Sequence, residues 1–459
     1  MNRRTGALLA CLATACGTGD ARPNLLLISV DTLRPDFLGC YGHERATSPA
    51  IDSLAARGVL FEDVTSASPW TLPSHASMLT GMYAATHGVK DHEFRLESET
   101  LATWLARVGY QTMSVVNTHN IGFEDYGLMR GFDPRTKEWV NELGEQDPET
   151  LITPVVNRAE DVIARARAFL GTRDASRPFF LFLHFYDVHT DFTPAPEWEQ
   201  EFVKPYKGRL PGAWTAVLTT IRKQGLALSK ADVRFLTEMY EAEIRTFDDR
   251  LGELFAYLEQ AGLLESTVIA LTSDHGEEFL EHGSVLHGRT HYQELVRIPL
   301  LLAGPGVAAG LRVKTPVHLV DLAPTLYALL GVPAAPSMDG LDLSGAWGAG
   351  PALPDERVLF SEADHNNVVD GVDRSDVKRM ARSGNTVLHL DTVTGRTELY
   401  DLATDPAERE DLSSAQPDRV AFLLEELRRH MQRRSAASTI GPVSEENRAL
   451  LEQLGYGGE

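Results

Sequence analysis

The sequence predicts an α/β fold with a large, mostly parallel sheet sandwiched by helices, followed by a small antiparallel sheet and a helix. Short apolar runs alternate with helical segments from Asn24 to about Val332, which is the pattern of β-α-β units. The runs are continuously apolar, as strands buried on both faces of a parallel sheet are. Four of them end in side chains that bind metals or transfer protons, and parallel strands bring such residues to one sheet edge.

The four apolar runs that end in this way are residues 24–30, 110–116, 179–183 and 268–271. The residues that follow them are, in order, Asp31; Asn117 and His119; His184, Asp187 and His189; and Asp274 and His275. One such ending is usually a cap or a turn, but four in one chain indicate a single site at one sheet edge. The Asp274–His275 pair offers a carboxylate oxygen beside an imidazole nitrogen, a combination that suits zinc or manganese.

Helical segments connect these strands. A short helix is predicted over residues 51–57, ended by Gly58, and a long amphipathic helix over about residues 231–260, ended by Gly262. Ser229 and Asp232 have the spacing of a capping box at the start of the long helix. Two stretches rich in Pro, Glu and Lys, about residues 136–155 and 193–228, are predicted to be surface excursions, and the second could wall the active site.

The last quarter of the chain differs in pattern from the rest. Residues 351–356 are loop-like, residues 386–390 and 397–400 are short strand-like runs, and residues 419–433 form an amphipathic helix. We therefore predict three parts: an export signal and lipoprotein tether at 1–23, a catalytic domain at 24–345 and a small C-terminal subdomain at 346–459.

The composition limits the class of function. The 459 residues are 43% apolar and 24% charged, which is ordinary for a globular protein. The formal net charge of -22 argues against a nucleic-acid partner, because Lys and Arg hold phosphate backbones. A metal and histidines can still hold an anionic substrate locally. Of the three cysteines, Cys11 and Cys16 lie in the N-terminal segment, so the folded body keeps the single thiol of Cys40.

The N-terminus has the pattern of an export signal. Basic residues at 3–4 precede an apolar stretch at 7–15 that is far too short to span a bilayer. Residues 13–16 resemble a bacterial lipoprotein cleavage box with Cys16 as the lipidated residue, whereas residues 8–11 fit the box better but leave too short an apolar region. We expect an exported, periplasmic protein anchored to the membrane by lipid, with a plain export signal or a misplaced start codon as alternatives.

Residues 68–81 are predicted to hold a nucleophile. Pro73 suits the first turn of a helix and Gly81 suits its end, which places Thr71 just before the helix N-terminus. Unpaired N–H groups and the helix dipole favour negative charge there, so the Thr71 hydroxyl can ionise more easily, especially beside a metal. The alternative is that Thr71 only caps a structural helix.

Several blocks of sequence, in a fixed order, resemble the sulfatase family of the alkaline-phosphatase superfamily. The blocks are residues 28–34, 38–42, 47–61, 71–81, 272–277, 297–300 and 320–325, while residues 398–402 and 405–406 are similar to that family's C-terminal subdomain. The resemblance covers nearly all of the chain after residue 23. It implies an alkaline-phosphatase-like fold and a metal-dependent hydrolase of sulfuric or phosphoric esters.

The resemblance also implies roles for individual residues. Asp31, Asp274 and His275 would bind one divalent metal, and Thr71 would complete its shell and act as the nucleophile. Three further histidines have counterparts. His75 stands where sulfatases keep an arginine that steadies the nucleophile, His189 matches a substrate-binding histidine, and His287 lies near the position of an active-site lysine. Asn117 and His119 complete the set, and His119 matches the histidine of a Lys-x-His pair. We expect the first three of these to be catalytic and the last two to bind substrate.

Departures from the family pattern change the expected chemistry. Thr71 cannot form the formylglycine that sulfatases make from Cys or Ser, and Thr32 and His275 replace an Asp and an Asn that bind calcium. An Asp-His pair with a Thr nucleophile resembles the phosphodiesterases, phosphonate hydrolases and phosphoethanolamine transferases of the superfamily. In the last group another active-site histidine follows twelve residues later, as His287 follows His275. We therefore expect zinc or manganese rather than calcium, and a phosphate ester rather than a sulfate ester.

Three alternatives remain open. A phosphoethanolamine-type transferase would pass its group to a lipid or sugar hydroxyl, but such transferases carry several transmembrane helices, and this sequence has no segment of that kind. A catalytically silent binding protein is disfavoured because the metal-binding residues are present. Sulfatase activity without formylglycine is the third alternative. The expected substrate is a small-molecule, glycan or lipid ester, and the expected membrane contact is through the lipid anchor only.

Overall fold

The computed structural model of this protein describes residues 22–92, 94–122, 124–133, 137–139, 142–143, 155–156, 159–354, 356–369, 372–433 and 438–440. Residues 1–21 of the predicted tether, including Cys11 and Cys16, and most of the predicted excursion at 136–155 lie outside these residues. Within the described ranges, no helix combines the length and the apolar character that a membrane span requires.

The strands and helices are numbered in chain order. The strands are β1 (Asn24–Val30), β2 (Gly58–Thr65), β3 (Phe94–Leu96), β4 (Gln111–Val116), β5 (Lys137–Trp139), β6 (Glu142–Leu143), β7 (Val155–Val156), β8 (Phe179–Phe185), β9 (Thr267–Ser273), β10 (Glu278–Phe279), β11 (Val285–Leu286), β12 (Arg297–Ala303), β13 (Leu311–Val313), β14 (Val317–His318), β15 (Val358–Val369), β16 (Val372–Ser383), β17 (Thr386–Asp391), β18 (Thr397–Asp401) and β19 (Ser438–Ile440). The helices are α1 (Pro49–Ala56), α2 (Thr71–Thr80), α3 (Ala84–His87), α4 (Leu101–Arg107), α5 (His119–Gly122), α6 (Ala159–Thr172), α7 (Pro196–Phe202), α8 (Thr215–Gln224), α9 (Lys230–Gln260), α10 (Gln293–Val296), α11 (Leu322–Leu329) and α12 (Pro417–Met431).

A large sheet forms the centre of the described part of the molecule, in the order β13-β2-β12-β9-β1-β8-β4-β5 with β14 also paired to β2. The strands β9, β1, β8 and β4 are parallel neighbours, and Leu27 of β1 lies opposite Phe182 of β8 and Ala270 of β9. β12 runs antiparallel between β9 and β2. The predicted mostly parallel sheet is therefore confirmed, and β12 makes it a mixed sheet.

Helices cover both faces of this sheet. In β1, Leu26 and Ile28 pack on one face with α1, α6 and α9, while Leu25 and Leu27 pack on the other with α2, α4 and α11. All four side chains are fully buried. A slip of one residue would exchange the side chains of the two faces, so the different packing partners on each face fix the strand register. The predicted arrangement of a sheet between two layers of helices is confirmed.

The long helix α9 begins with the predicted capping box. The Ser229 hydroxyl accepts from the backbone N–H of Asp232 at 3.2 Å, and the Ser229 backbone N–H donates to Asp232 Oδ2 at 2.8 Å. The short helix α1 begins at Pro49, two residues before the predicted start, because proline suits the first helical position. The predicted excursion at 193–228 contains α7 and α8, and α8 packs against β11.

A small C-terminal unit packs against the main sheet. β15, β16, β17 and β18 form an antiparallel sheet in that order, and α12 packs on β16 and β17. Phe360, Leu388 and Leu423 of this unit share a hydrophobic core with Ala67 and Tyr83, which flank α2. The predicted antiparallel sheet plus helix is confirmed, and the boundary at residue 345 stays a prediction.

Buried polar contacts fix the C-terminal unit in place. The backbone N–H of Glu362 donates to the carbonyl of Ala67 at 2.9 Å, and the Ala85 N–H donates to Oε1 of Glu362 at 3.0 Å. The Arg382 guanidinium forms a bidentate ion pair with Asp63. The segment that contains α2 is thus held by residues far along the chain.

Candidate active site

Polar side chains converge at the carboxyl ends of the parallel strands. Because β9, β1, β8 and β4 are parallel neighbours, the residues after them lie at one sheet edge. Asp31 follows β1, Asp274 and His275 follow β9, and His189 comes shortly after β8. The convergence expected from the four strand endings is present, while the roles of the individual residues stay predictions.

Asp31, Asp274 and His275 form a cluster that could hold a metal ion. Each offers one ligand atom, and these atoms lie within 4.8 Å of one another. All three side chains are fully buried. Both carboxylate oxygens of Asp31, and Oδ2 of Asp274, have no hydrogen-bond partner in the described part of the chain. Burying an unpaired carboxylate costs on the order of several kcal/mol, so a divalent cation fits this cluster.

The electrostatics of the cluster also favour a cation. Burial raises the pKa of Asp31 to about 7, although the nearby His275 works to lower it. Burial and the charge of Asp31 raise the pKa of Asp274 as well. Both shifts show that the two carboxylates are unfavourable in their charged form without a positive neighbour, and a bound cation would supply one.

The orientation of His275 suits metal binding through Nε2. Its Nδ1 lies 2.9 Å from the carbonyl oxygen of Gly276 and must donate, because a carbonyl oxygen can only accept. In the neutral ring, Nε2 therefore carries a lone pair. That atom lies 3.4 Å from Asp274 Oδ2 and 3.7 Å from Asp31 Oδ1. A backbone contact on the far nitrogen is how metal-binding histidines are commonly held.

The sequence predicts Thr71 as the residue just before the helix. In the structure, Thr71 is instead the first residue of α2. Trp70 has extended backbone and takes the N-cap position without a side-chain capping bond, while Pro73 lies in the first turn, where it needs no N–H. Thr71 is 2% exposed, and its Oγ1 lies 3.4 Å from Nε2 of His275. The side chain therefore faces the metal cluster from a helix N-terminus, and the alternative that Thr71 is the N-cap is wrong.

His75 supports the first turn of α2. Its Nδ1 donates to the carbonyl oxygen of Thr71 at 2.8 Å, and its Nε2 accepts from the Ser29 hydroxyl at 2.9 Å. Burial lowers the pKa of His75 to about 4, although Asp274 works to raise it. The ring is therefore neutral at ordinary pH, and it contacts the backbone of the predicted nucleophile.

His189 lies beside the cluster and stacks on Tyr186, with the ring centroids 4.1 Å apart. Its Nδ1 donates to the Thr190 carbonyl, and its Nε2 lies 3.2 Å from the Tyr186 hydroxyl. Burial, together with repulsion from His287, lowers the pKa of His189 well below its ordinary value.

His287 completes a row of three imidazoles. Its ring centroid is 4.4 Å from that of His275 and 5.0 Å from that of His189. Its Nδ1 lies 3.2 Å from Oε1 of Glu277. Burial raises the pKa of Glu277 to about 8, although His275 and Arg222 lower it. Glu277 was not predicted to have a role, although it is the last residue of the block at 272–277.

His184 is a second residue that sequence reasoning left without a role. It lies within β8, which continues to Phe185, so it does not end the strand. The ring is fully buried, its Nε2 lies 3.4 Å from Asp31 Oδ2, and neither ring nitrogen has a hydrogen-bond partner in the described ranges. Burial lowers its pKa to about 4. The signal available in the sequence was a histidine inside an otherwise apolar strand.

The two predicted substrate-binding residues are placed differently. The Asn117 amide nitrogen donates to Asp187 Oδ2 at 3.1 Å, and its oxygen accepts from the Tyr186 N–H at 2.6 Å. Asn117 therefore holds the segment that leads to His189. The backbone of His119 is at the start of α5, and its side chain lies outside the described part.

Thr32 is turned away from the metal cluster. Its hydroxyl donates to the carbonyl oxygen of Val188 at 3.0 Å, while its backbone N–H lies 3.3 Å from Asp274 Oδ1. Thr32 stands where the resemblance places an Asp that binds calcium in sulfatases. With its hydroxyl bonded to Val188, the Thr32 side chain does not supply an oxygen to the cluster.

Comparison with known proteins agrees with this fold. A family model described as Sulfatase matches residues 23–332. The N-acetylglucosamine-6-O-sulfatase of Bacteroides thetaiotaomicron is 24% identical, over 84% of this chain and 82% of that protein. A structure solved in complex with its substrate D-glucosamine-2-N,6-O-disulfate has a TM-score of 0.72 and 22% identity, covering 90% of this chain and 98% of that one. The phosphonate monoester hydrolase of Agrobacterium radiobacter has a TM-score of 0.68 and 23% identity, over 89% and 94%.

Proposed function

Because this chain belongs to the sulfatase family, we propose that it hydrolyses anionic esters at the cluster of Asp31, Asp274 and His275, with Thr71 as the nucleophile. The observation that carries the proposal is the position of the Thr71 hydroxyl. Its Oγ1 lies in the first turn of α2 and 3.4 Å from Nε2 of His275. One oxygen is therefore beside a cation site and at a helix N-terminus, and both favour its ionised form.

Asp31, Asp274 and His275 would hold one divalent cation. Zinc or manganese is favoured over calcium, because an imidazole nitrogen lies among the candidate ligands. When bound, such a cation supplies positive charge that lowers the pKa of a hydroxyl and stabilises negative charge on a transferred group.

The residues of the chain then account for each bond and proton. The Thr71 hydroxyl loses its proton to solvent, and its oxygen bonds to phosphorus or sulfur as the bond to the leaving oxygen breaks, which gives a covalent ester of Thr71. His287, oriented by Glu277 at 3.2 Å, gives a proton to the leaving oxygen. Water then bonds to phosphorus or sulfur as the bond to the Thr71 oxygen breaks; a proton of that water returns to His287, and the Thr71 oxygen leaves in the ionised form that begins the next cycle. His75 keeps the turn that carries Thr71 in place.

His189 is proposed to bind an outer oxygen of the substrate. Its ring lies 5.0 Å from that of His287, on the same side of the cluster as the row of imidazoles. Because Nδ1 donates to the Thr190 carbonyl, Nε2 carries a lone pair in the neutral ring. To donate to the substrate, Nε2 must gain a proton, which the negative charge of a bound substrate favours, and release its contact with the Tyr186 hydroxyl. Tyr186 and His189 therefore act together in this proposal.

We propose a phosphate or phosphonate ester as the preferred substrate. Thr71 stands where the family has a residue that can be oxidised to an aldehyde, and its methyl group on Cβ blocks that chemistry. The name of one structural neighbour, the phosphonate monoester hydrolase, is in keeping with this choice. A sulfate ester is the second candidate, because the curated relatives that match include an N-acetylglucosamine-6-O-sulfatase and a choline-sulfatase.

The test is turnover of four matched aryl substrates: a sulfate, a phosphate monoester, a phosphodiester and a phosphonate monoester. Each is assayed with protein stripped by a chelator and reloaded with zinc, manganese or calcium. We expect the largest kcat/KM for a phosphorus ester and dependence on added zinc or manganese. A higher kcat/KM for the sulfate would overturn the phosphate preference, and no turnover of any ester under any metal would overturn the hydrolase itself.

We also propose that the mature protein is held at the periplasmic side of a bacterial membrane by lipidated Cys16, with no other membrane contact. The residues that support this lie at 1–16, in the sequence pattern described above. Replacing Cys16 by Ser is expected to move the protein from the membrane fraction to the soluble fraction. Wild-type protein that is already soluble and carries no lipid would contradict the proposal.

A further inference from the structure

Two arginines, Arg222 and Arg289, lie beside the imidazole row and have no part in the chemistry proposed above. Arg222 belongs to α8, in the excursion at 193–228, and its guanidinium donates to the carbonyl oxygen of His287 at 3.1 Å. Arg289 comes two residues after His287 in the chain. Both side chains are half-buried.

Neither guanidinium forms an ion pair within the described residues. The Nε of each is buried and has no hydrogen-bond partner there. The two arginines are also close enough to repel each other: burial and the charge of Arg289 lower the pKa of Arg222 to about 10. The charges of Glu277 and Glu278 work to raise the pKa of Arg222, but neither carboxylate forms an ion pair with it in the described residues. Two half-buried cations therefore lie near the same backbone segment without the paired carboxylate that usually accompanies such groups.

An oxyanion would satisfy both groups. A guanidinium presents a planar fork of N–H donors that matches the oxygens of carboxylate, sulfate or phosphate, and such charge-assisted bonds are among the strongest hydrogen bonds in proteins. Two arginines beside one anion would also remove the repulsion between them. The chain as a whole carries a net charge of -22, so two arginines without a paired carboxylate are unusual for its composition.

We propose that Arg222 and Arg289 form a second anion subsite, so that the preferred substrate carries a further anionic group close to the ester that is cleaved. This inference rests on the proposed hydrolase function and narrows its substrate class. The subsite adjoins His287, whose ring is 4.4 Å from that of His275. Because Arg222 contacts the backbone of His287 and Arg289 follows two residues later, we expect the second anionic group and the ester to belong to one small molecule or one sugar residue.

The test compares aryl esters that differ only in a ring substituent: a carboxylate, a sulfonate, or the uncharged carboxamide. The measured quantity is the ratio of kcat/KM for the charged substrate to that for the carboxamide. We expect wild type to favour a charged substituent, and Arg289→Gln to lower the ratio by roughly 10- to 100-fold, the usual range for one charge-assisted bond. Comparison of the carboxylate with the sulfonate then shows which anion the subsite prefers.

Two further variants separate binding from structural support. Arg222 also holds the backbone of His287, so Arg222→Lys, which keeps the charge, should retain more of the ratio than Arg222→Gln. Lys223→Gln, at the exposed neighbouring position of α8, removes the same charge and should leave the ratio unchanged. An equal ratio in wild type and Arg289→Gln would overturn the subsite.

Binding without turnover makes failure of the subsite distinct from failure of the hydrolase. Carboxyphenyl phosphonate and its carboxamide analogue are titrated into wild type and Arg289→Gln by calorimetry. Tighter binding of the carboxylate to wild type alone supports the subsite even if no ester is hydrolysed. Equal binding of the two phosphonates by wild type overturns it even if esters are hydrolysed.

Discussion

Removing the hydroxyl of Thr71 should separate catalysis from stability. In the described residues, its Oγ1 has one contact of hydrogen-bond length, 3.4 Å from Nε2 of His275, which is long for such a bond. Thr71→Val keeps the shape of the 2%-exposed side chain, so it opens no cavity. We therefore expect the free energy of unfolding to change by no more than about 1 kcal/mol.

The effect on turnover should be far larger. Loss of an attacking oxygen removes the covalent step, and we expect kcat to fall by about 10³-fold or more, which corresponds to at least about 4 kcal/mol of transition-state stabilisation. Thr71→Ser is the matched control, because it keeps the hydroxyl and loses only a methyl group. Its kcat should stay within about tenfold of wild type.

The assay pairs kcat/KM on the best ester with urea unfolding of the same preparations. Mass spectrometry of wild type stalled with a slow phosphoester should show a phosphate adduct on the peptide that contains Thr71. If Thr71→Val turns over the ester at a rate near that of wild type, Thr71 is not the nucleophile. If the variant instead loses several kcal/mol of stability, its loss of activity has a structural cause.

Two further predictions follow from the carboxylates described above. Asp31→Asn should abolish the rise in melting temperature that chelator-treated wild type shows on adding zinc or manganese; a cation at 100 times its Kd stabilises by about 2.7 kcal/mol, and an equal rise in both proteins would contradict the metal site. Burial raises the pKa of Glu362, but the hydrogen bond and charge of His430, with Arg379, outweigh it and lower the pKa from 4.5 to about 2. The folded-state pKa is below the unfolded one, so this stabilisation is present above about pH 4.5 and is lost as the pH falls towards 2. Urea unfolding should therefore show Glu362→Gln less stable than wild type by roughly 3 kcal/mol near pH 6 and by much less near pH 3. A difference in stability that does not change with pH would show that the pKa of Glu362 is not lowered in the folded protein.

The sequence was most informative where one physical cause controls the pattern. A continuous apolar run such as residues 24–30 is buried on both faces, which places it among central parallel strands and places Asp31 at their carboxyl edge. The same cause placed Asp274 and His275. Chain direction is a different matter: β12 is as apolar as β1 but runs antiparallel, because the connection and not the composition sets the direction of a strand.

The residues that sequence analysis left without a role depend on tertiary contacts. His184 looked like the end of a strand, because a polar residue inside a buried strand is rare, yet β8 continues through it and points it at Asp31. Arg222 lies on an amphipathic surface helix, where a basic residue is usually solvated. Only the contact with the carbonyl of His287, 65 positions away, distinguishes it. Local patterns carry no record of such contacts.

The contacts between the C-terminal unit and the segment around α2 bear on how the protein is made. Ala67 and Ala85, on either side of α2, are hydrogen-bonded to Glu362, which lies 277 positions after Ala85 in the chain. During synthesis from the N-terminus, the strands that carry Asp31 and Asp274 are complete well before β15 and α12 exist. A nascent or truncated chain would then have its acidic ligands in place while the helix that carries Thr71 still lacks its anchors. Activity would appear only after the C-terminal strands pack against the segment around α2, so only a chain that is synthesised and folded to its C-terminal unit would be active.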